Sequence, residues 1–128
     1  MFKITKRIEV SGAHWLDLPY ESPCSNVHGH NWIVDVTIEG ENLSPHGMLI
    51  DFVHIKQVVN ELDHTTLNDV VWVVGNPTAE NLCFLLAIRL NAAIVEEWAS
   101  YKVAHQRSPR VVAISIQENE GNIATWKL

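Results

Sequence analysis

The sequence predicts an α+β fold, an antiparallel sheet of four strands in the order ββααββ with two helices packed on one face. Three observations lead there. Two segments near the start alternate apolar and polar residues with the period of a strand. Two central segments repeat apolar residues every three and four positions, as helices do. Two short strand-like runs close the chain around an Asn-Glu-Gly-Asn turn. With 128 residues, 47% of them apolar, the chain is read as one domain over 1–128 whose core needs neither a disulfide nor a structural metal.

The first strand is expected over about 2–12, where Phe2, Ile4, Ile8 and Val10 are apolar and Lys3, Thr5, Arg7, Glu9 and Ser11 are polar. A loop with Pro19, Pro23 and Gly29 leads to a second strand over about 30–39, with Trp32, Val34, Val36 and Ile38 on its apolar face. Gly40 and the 42–47 segment end it. A helix over about 52–62 follows from Phe52, Ile55, Val58, Val59 and Leu62, with Asp51 as N-cap. Residues 63–77 read as a loop ending in Gly75-Asn76-Pro77. The second helix starts at its N-cap Thr78 and runs to about Tyr101, burying Leu82, Cys83, Leu86, Leu90, Ala93, Ile94 and Trp98. The 102–110 segment is polar and loop-like. Strands over about 110–118 and 123–128 join through a hairpin turn at 119–122.

Charge and composition exclude several classes. A net charge of −6 opposes nonspecific nucleic-acid binding, which depends on neutralising phosphates with Lys and Arg. No apolar run is long enough to span a bilayer and no signal-like stretch opens the chain, so a cytoplasmic protein without a membrane partner is expected. Cys24 and Cys83 are both read as reduced, Cys83 as a small hydrophobe on a buried helix stripe. The sheet would have two unpaired edges, which small domains resolve by assembling; a cyclic oligomer that closes a barrel is one solution.

The densest chemistry lies between positions 14 and 30. Continued parity places His14 on the apolar face of the first strand and His28 and His30 together on that of the second. Three neutral imidazoles without a fourth protein ligand describe a catalytic zinc site with one open position. A closed structural site that adds Cys24 is the competing arrangement. Beside a dication, the Cys24 thiol would be depressed in pKa and serve as base or nucleophile; otherwise it is a buried loop cysteine. Asp63-His64, just past the first helix, is either a carboxylate-oriented proton relay or an ordinary helix-end turn. Glu118 continues the apolar parity of Val112, Ile114 and Ile116, where a carboxylate must be paired or used. It either meets a basic side chain or solvent, or accepts two parallel hydrogen bonds from an amidine-like edge such as a 2-aminopyrimidinone.

Ala13-His14, Cys24-x3-His28-Gly29-His30, Gly47-Met48-x2-Asp51-Phe52, Leu62-Asp63-His64-x2-Leu67-Asn68, Pro77-Thr78-x-Glu80-Asn81 and the late Glu118 occur in an order that resembles the 6-pyruvoyl- and 6-carboxy-tetrahydropterin synthase family. The resemblance implies the tunnelling fold, with trimers closing a barrel and two trimers stacking into a homohexamer. It implies zinc held by His14, His28 and His30, Cys24 as catalytic base, Asp63 and His64 as proton relay, Glu118 as the pterin anchor and Thr78 as a second pterin contact. The implied substrate is 7,8-dihydroneopterin triphosphate. The compact loops and Cys24 resemble the 6-carboxy branch, a zinc-dependent lyase that releases triphosphate and acetaldehyde and supplies a queuosine precursor. The 6-pyruvoyl branch and a non-catalytic zinc or pterin-binding module are the alternatives. Trp15 departs from an Arg common after the first zinc histidine, leaving Lys6, Arg7, Lys56 or a neighbouring subunit to meet the triphosphate.

Overall fold

The structure, a computed structural model, describes residues 1–103 and 105–128; residue 104, in the loop expected over 102–110, lies outside the described residues. Strand β1 (Phe2–His14) pairs antiparallel with β2 (His28–Gly40) along its whole length, from Phe2 opposite Gly40 to His14 opposite His28. Both strands reach two residues further toward the histidines than alternation suggested, because the ladder continues through Ala13 and Gly29. Residues directly opposite share a face. Ile8, Val10, Trp32, Val34, Val36 and Ile38 are accordingly buried together, while Arg7 and Asp35 form a two-pronged ion pair on the other face (2.8 and 2.9 Å).

Two helices cover the buried face. Helix α1 (Phe52–Val59) is capped by Asp51, whose carboxylate accepts the Val53 N–H at 2.9 Å, and it buries Ile55, Val58 and Val59. The helix expected to reach 62 tightens after Val59 into a 3-10 turn, Asn60–Leu62, which puts Leu62 into the core. Helix α2 (Ala79–Ser100) starts where Thr78 accepts the Asn81 N–H and buries the expected stripe through Trp98 except Ala93, which is partly buried, while Ala87 joins it. Cys83 lies fully inside that stripe, and burial pushes its thiol up to about 11, so it behaves as a hydrophobe.

The sheet differs from the expected four antiparallel strands. Among the described residues it has five, in the order β3-β1-β2-β4-β5, with β4 over Arg110–Asn119 and β5 over Asn122–Lys127. The added strand, β3 (Thr65–Thr66), runs parallel to β1 beside Gly12 and Ala13, because the 63–77 segment returns along the outer edge of β1. Gly12 eases that return. A Cβ there would stand 3.2 Å from Leu67 Cδ2 and 3.5 Å from the Leu62 carbonyl.

Two irregularities re-aim β4. Thr37 pairs with Ala113 but Ile38 with Val111, so Val112 is an extra residue and Val111 takes the buried position assigned to Val112 by parity. On the other edge, Gln117 pairs with Ile123 and Asn119 with Asn122, leaving Glu118 in a second bulge beside the hairpin. No helix among the described residues is long and apolar enough to cross a membrane.

The core makes a direct prediction. Leu86 is fully buried whereas Val71 is 93% exposed. Leu86→Ala should lower unfolding stability by about 2–5 kcal/mol in urea denaturation. Val71→Ala should change it by less than about 0.5 kcal/mol.

Candidate active site and metal centre

The β1–β2 register assembles the histidines. His14 lies opposite His28, and His30 lies opposite Gly12, which has no side chain to compete for the same space. The ring centroids stand 4.5 Å (His14–His28), 5.2 Å (His14–His30) and 4.9 Å (His28–His30) apart. One ligand nitrogen from each falls within 4.8 Å of the others. Trp32 forms an apolar floor beneath His14 and His30, with its own indole N–H satisfied by the Gly12 carbonyl at 3.0 Å.

Backbone carbonyls set the tautomers. His14 Nδ1–H donates to the Pro77 carbonyl at 2.8 Å and His28 Nδ1–H to the Asn26 carbonyl at 2.6 Å. A carbonyl only accepts, so in both neutral rings Nε2 carries a bare lone pair, the arrangement used to orient metal-bound imidazoles. Burial lowers the His14 pKa, outweighing the pull of the Pro77 carbonyl, and so favours the neutral ring. His14 Nε2 and His30 Nε2 are buried without any hydrogen-bond partner. Unpartnered buried nitrogens of this kind require an explanation. A cation coordinated by three neutral imidazoles supplies one, and the donor set fits zinc. Neither Cys24 nor Glu118 is part of this group of mutually close ligand atoms among the described residues.

Beside the cluster opens a cleft of about 410 Å³ whose walls include Leu16, Cys24, Thr78, Glu118 and Asn122. Cys24 is held on the short turn Pro23–Ser25, its N–H on Ser22 Oγ (3.2 Å) and its carbonyl on the Leu16 N–H (2.8 Å). The bulge aims Glu118 at the histidines, with Oε1 3.4 Å from His14 Nε2 and 3.5 Å from His30 Nε2. Thr78 keeps a hydroxyl proton to donate while its oxygen caps α2. A larger hollow of about 880 Å³ on the 18–26 loop is shallow and its walls include none of Cys24, Thr78 and Glu118, so the smaller cleft is the better candidate.

Asp63 and His64 are elsewhere. Among the described residues neither lines the cleft. Asp63 Oδ1 accepts the Ser11 N–H at 2.8 Å, and its Oδ2 stands 3.5 Å from His64 Nε2. The His64 side chain is 83% exposed on a left-handed backbone (φ 54°), a conformation uncommon outside glycine. Its N–H donates to the Ser11 carbonyl.

Sequence reasoning named Asn68 and Asn76 but gave no role to these two residues, which fasten this segment. Asn68 takes both backbone groups of Trp15, accepting its N–H at 3.0 Å and donating to its carbonyl at 2.8 Å. Asn76 does the same to Asp17, at 2.8 and 2.9 Å. Each amide imitates a strand partner, so the 63–77 segment is stitched to residues 11–17 and delivers the Pro77 carbonyl to His14. The available signal was two asparagines in one loop, since only Asn and Gln side chains offer both a donor and an acceptor of this shape.

The model of the 6-pyruvoyl tetrahydropterin synthase family matches residues 3–127. The chain belongs to that family. A Pyrococcus horikoshii protein provisionally named 6-carboxy-5,6,7,8-tetrahydropterin synthase is 46% identical over 65 residues, 51% of this chain and 41% of that one. The Bacillus subtilis 6-carboxy-5,6,7,8-tetrahydropterin synthase is 38% identical over 69 residues, 53% of this chain and 47% of its own length. The chain thus spans less than half the length of both relatives. The solved Caenorhabditis elegans 6-pyruvoyl tetrahydropterin synthase superposes with a TM-score of 0.70 over 99% of this chain and 95% of that one, at 22% identity, which establishes the shared tunnelling fold.

The buried His14 predicts a pH dependence. Its folded pKa lies below the ordinary 6.5 because burial disfavours the charged ring, so within that window the unfolded chain binds more protons. Stability of the metal-free protein should therefore rise with pH up to about 6.5 and fall as pH drops below it. Urea denaturation across this range should show a shallower pH dependence for His14→Gln.

Proposed function

We propose that the protein is a zinc-dependent lyase that converts 7,8-dihydroneopterin triphosphate to 6-carboxy-5,6,7,8-tetrahydropterin, releasing triphosphate and acetaldehyde on the way to queuosine and related deazapurines. The observation that carries this reading is the meeting of Cys24, Thr78 and Glu118 in one cleft beside two imidazoles whose Nε2 atoms are buried and unpartnered, in a chain of this family. The relatives named for 6-carboxy-tetrahydropterin synthesis favour that branch.

His14, His28 and His30 would hold the zinc, which when bound polarises the substrate side-chain hydroxyls as a Lewis acid. Glu118 orients the pterin by accepting two parallel hydrogen bonds from its 2-amino group and ring N–H. The Thr78 hydroxyl adds a donor at the mouth of α2. Cys24 acts as base at the substrate side chain, and Asp63 and His64 relay protons between side chain and ring. The net change is an internal redox tautomerisation that needs no nicotinamide. Loss of triphosphate and carbon–carbon cleavage complete it, with one water consumed overall.

The relay residues stand apart from the cleft within one chain, so this reading places the chemistry at a junction between copies. The sheet supports assembly, since β3 shields only Gly12 and Ala13 of the β1 edge and β5 is the other outer strand. Trimers closing a barrel, stacked as a hexamer, would use both edges. The chain functions as one domain in the cytoplasm. Arg7 is already paired with Asp35, so Lys6, Lys56 or a neighbouring copy is the better source of charge for triphosphate.

Incubation with 7,8-dihydroneopterin triphosphate should yield acetaldehyde and 6-carboxy-tetrahydropterin in equal amounts. Accumulation of 6-pyruvoyl-tetrahydropterin without acetaldehyde would assign the other branch, and pterin binding without turnover would make the protein a binding module. Metal analysis of His28→Ala should show loss of zinc. Cys24→Ala should retain zinc yet lose turnover by about 10²–10⁴-fold, as expected for removal of a positioned base.

A further inference from the structure

Glu118 approaches the histidines in a way that the pterin-anchor role does not explain. Its Oε1 lies 3.4 Å from His14 Nε2 and 3.5 Å from His30 Nε2, yet neither nitrogen has a hydrogen-bond partner. His14 already donates its Nδ1 proton to the Pro77 carbonyl. In the neutral ring, its Nε2 therefore turns a lone pair toward a carboxylate oxygen that also has only lone pairs to offer. A shared cation resolves that contact. These two separations match two edges of a tetrahedron around zinc, about 3.3–3.6 Å for bonds of 2.0–2.2 Å. Glu118 lies outside the group whose ligand atoms are all within 4.8 Å of one another, so closure needs its carboxylate to shift toward His28. Glu118 is also steadied for this position, because it sits in the β4 bulge and Asn122 Nδ2 donates to its other oxygen at 3.4 Å.

We propose that Glu118 is a switchable fourth metal ligand, closing the three-histidine centre through Oε1 in the substrate-free protein and leaving it when a pterin enters the cleft. The inference rests on the zinc and pterin reading above and adds an exchange. One carboxylate guards the coordination position that the substrate side chain needs, and the pterin's amino edge draws it away by offering two donors in place of one cation. The position is thereby closed to water and small ligands until the correct ring is bound. Coupling of this kind requires the ring and the metal to compete for the same carboxylate.

The test uses the cobalt(II)-substituted protein without pterin, with neutral imidazole as a probe of the open position, followed by visible absorption. Glu118→Gln should take imidazole at least tenfold more tightly than wild type. Its zinc affinity, measured by chelator competition, should fall at least tenfold while content at saturating zinc remains one per chain. Glu118→Asp keeps the charge but withdraws the oxygen, and should resemble Glu118→Gln in the imidazole titration. Equal imidazole and zinc affinities in wild type and both variants would overturn the proposal. Neopterin binding, measured separately by fluorescence, separates the two roles. Weaker neopterin binding in Glu118→Gln with unchanged metal properties leaves the anchor and removes the switch. Changed metal properties with unchanged neopterin binding keep the ligand role but overturn the pterin-driven exchange.

Discussion

A slip of one residue in the pairing of β1 with β2 would turn His28 and His30 away from the helices and bring Asn31, Asp35 and Thr37 beneath them. The buried β2 row of Trp32, Val34, Val36 and Ile38 resists that slip, since each side chain would move from core to solvent. Core packing and site assembly are therefore held by the same register. The imidazoles meet at one end of the ladder because the pattern that buries the valines and isoleucines continues into His14, His28 and His30.

The second constraint runs across this ladder. The 63–77 segment has little regular structure of its own, and it is placed by polar contacts with residues 11–17 through Asp63, Asn68 and Asn76. Gly12 permits the close approach, and Leu62 and Leu67 fill the space beside it. At the end of the segment Pro77 presents its carbonyl to His14, and Thr78 begins α2 in the next residue. The orientation of the His14 imidazole is thus tied to the start of α2. Each such bond contributes only about 0.5–1.5 kcal/mol net, but leaving its buried partner unsatisfied would cost more.

Polar groups are distributed unequally across the molecule. Most buried donors and acceptors find partners within the chain, as Trp32 and Trp98 do on backbone carbonyls. The imidazole nitrogens of His14 and His30 do not, and they lie next to the cleft. Two of the three unpartnered buried side-chain atoms among the described residues are thus imidazole nitrogens beside the cleft, the third being Glu97 Oε2.

The sequence by itself determined which face of each central strand is buried, where both helices begin, and which histidines share a side. These features follow from period-two and period-three-to-four patterns and from single capping residues such as Asp51 and Thr78, all of them local. Tertiary structure decided what depends on pairing between distant segments. Val111 rather than Val112 became buried because β4 bulges against β2, a register that neither strand specifies alone. The 63–77 segment acquired a strand and two asparagine clamps only because the edge of β1 was available to it. Glu118 could be placed on the inner face from parity, but its approach to two imidazoles required the hairpin bulge. Asp63 and His64 were legible as a chemical pair, yet their separation from the Cys24 cleft is a property of the folded edge, because proximity between residues far apart in the chain is fixed by strand order and register.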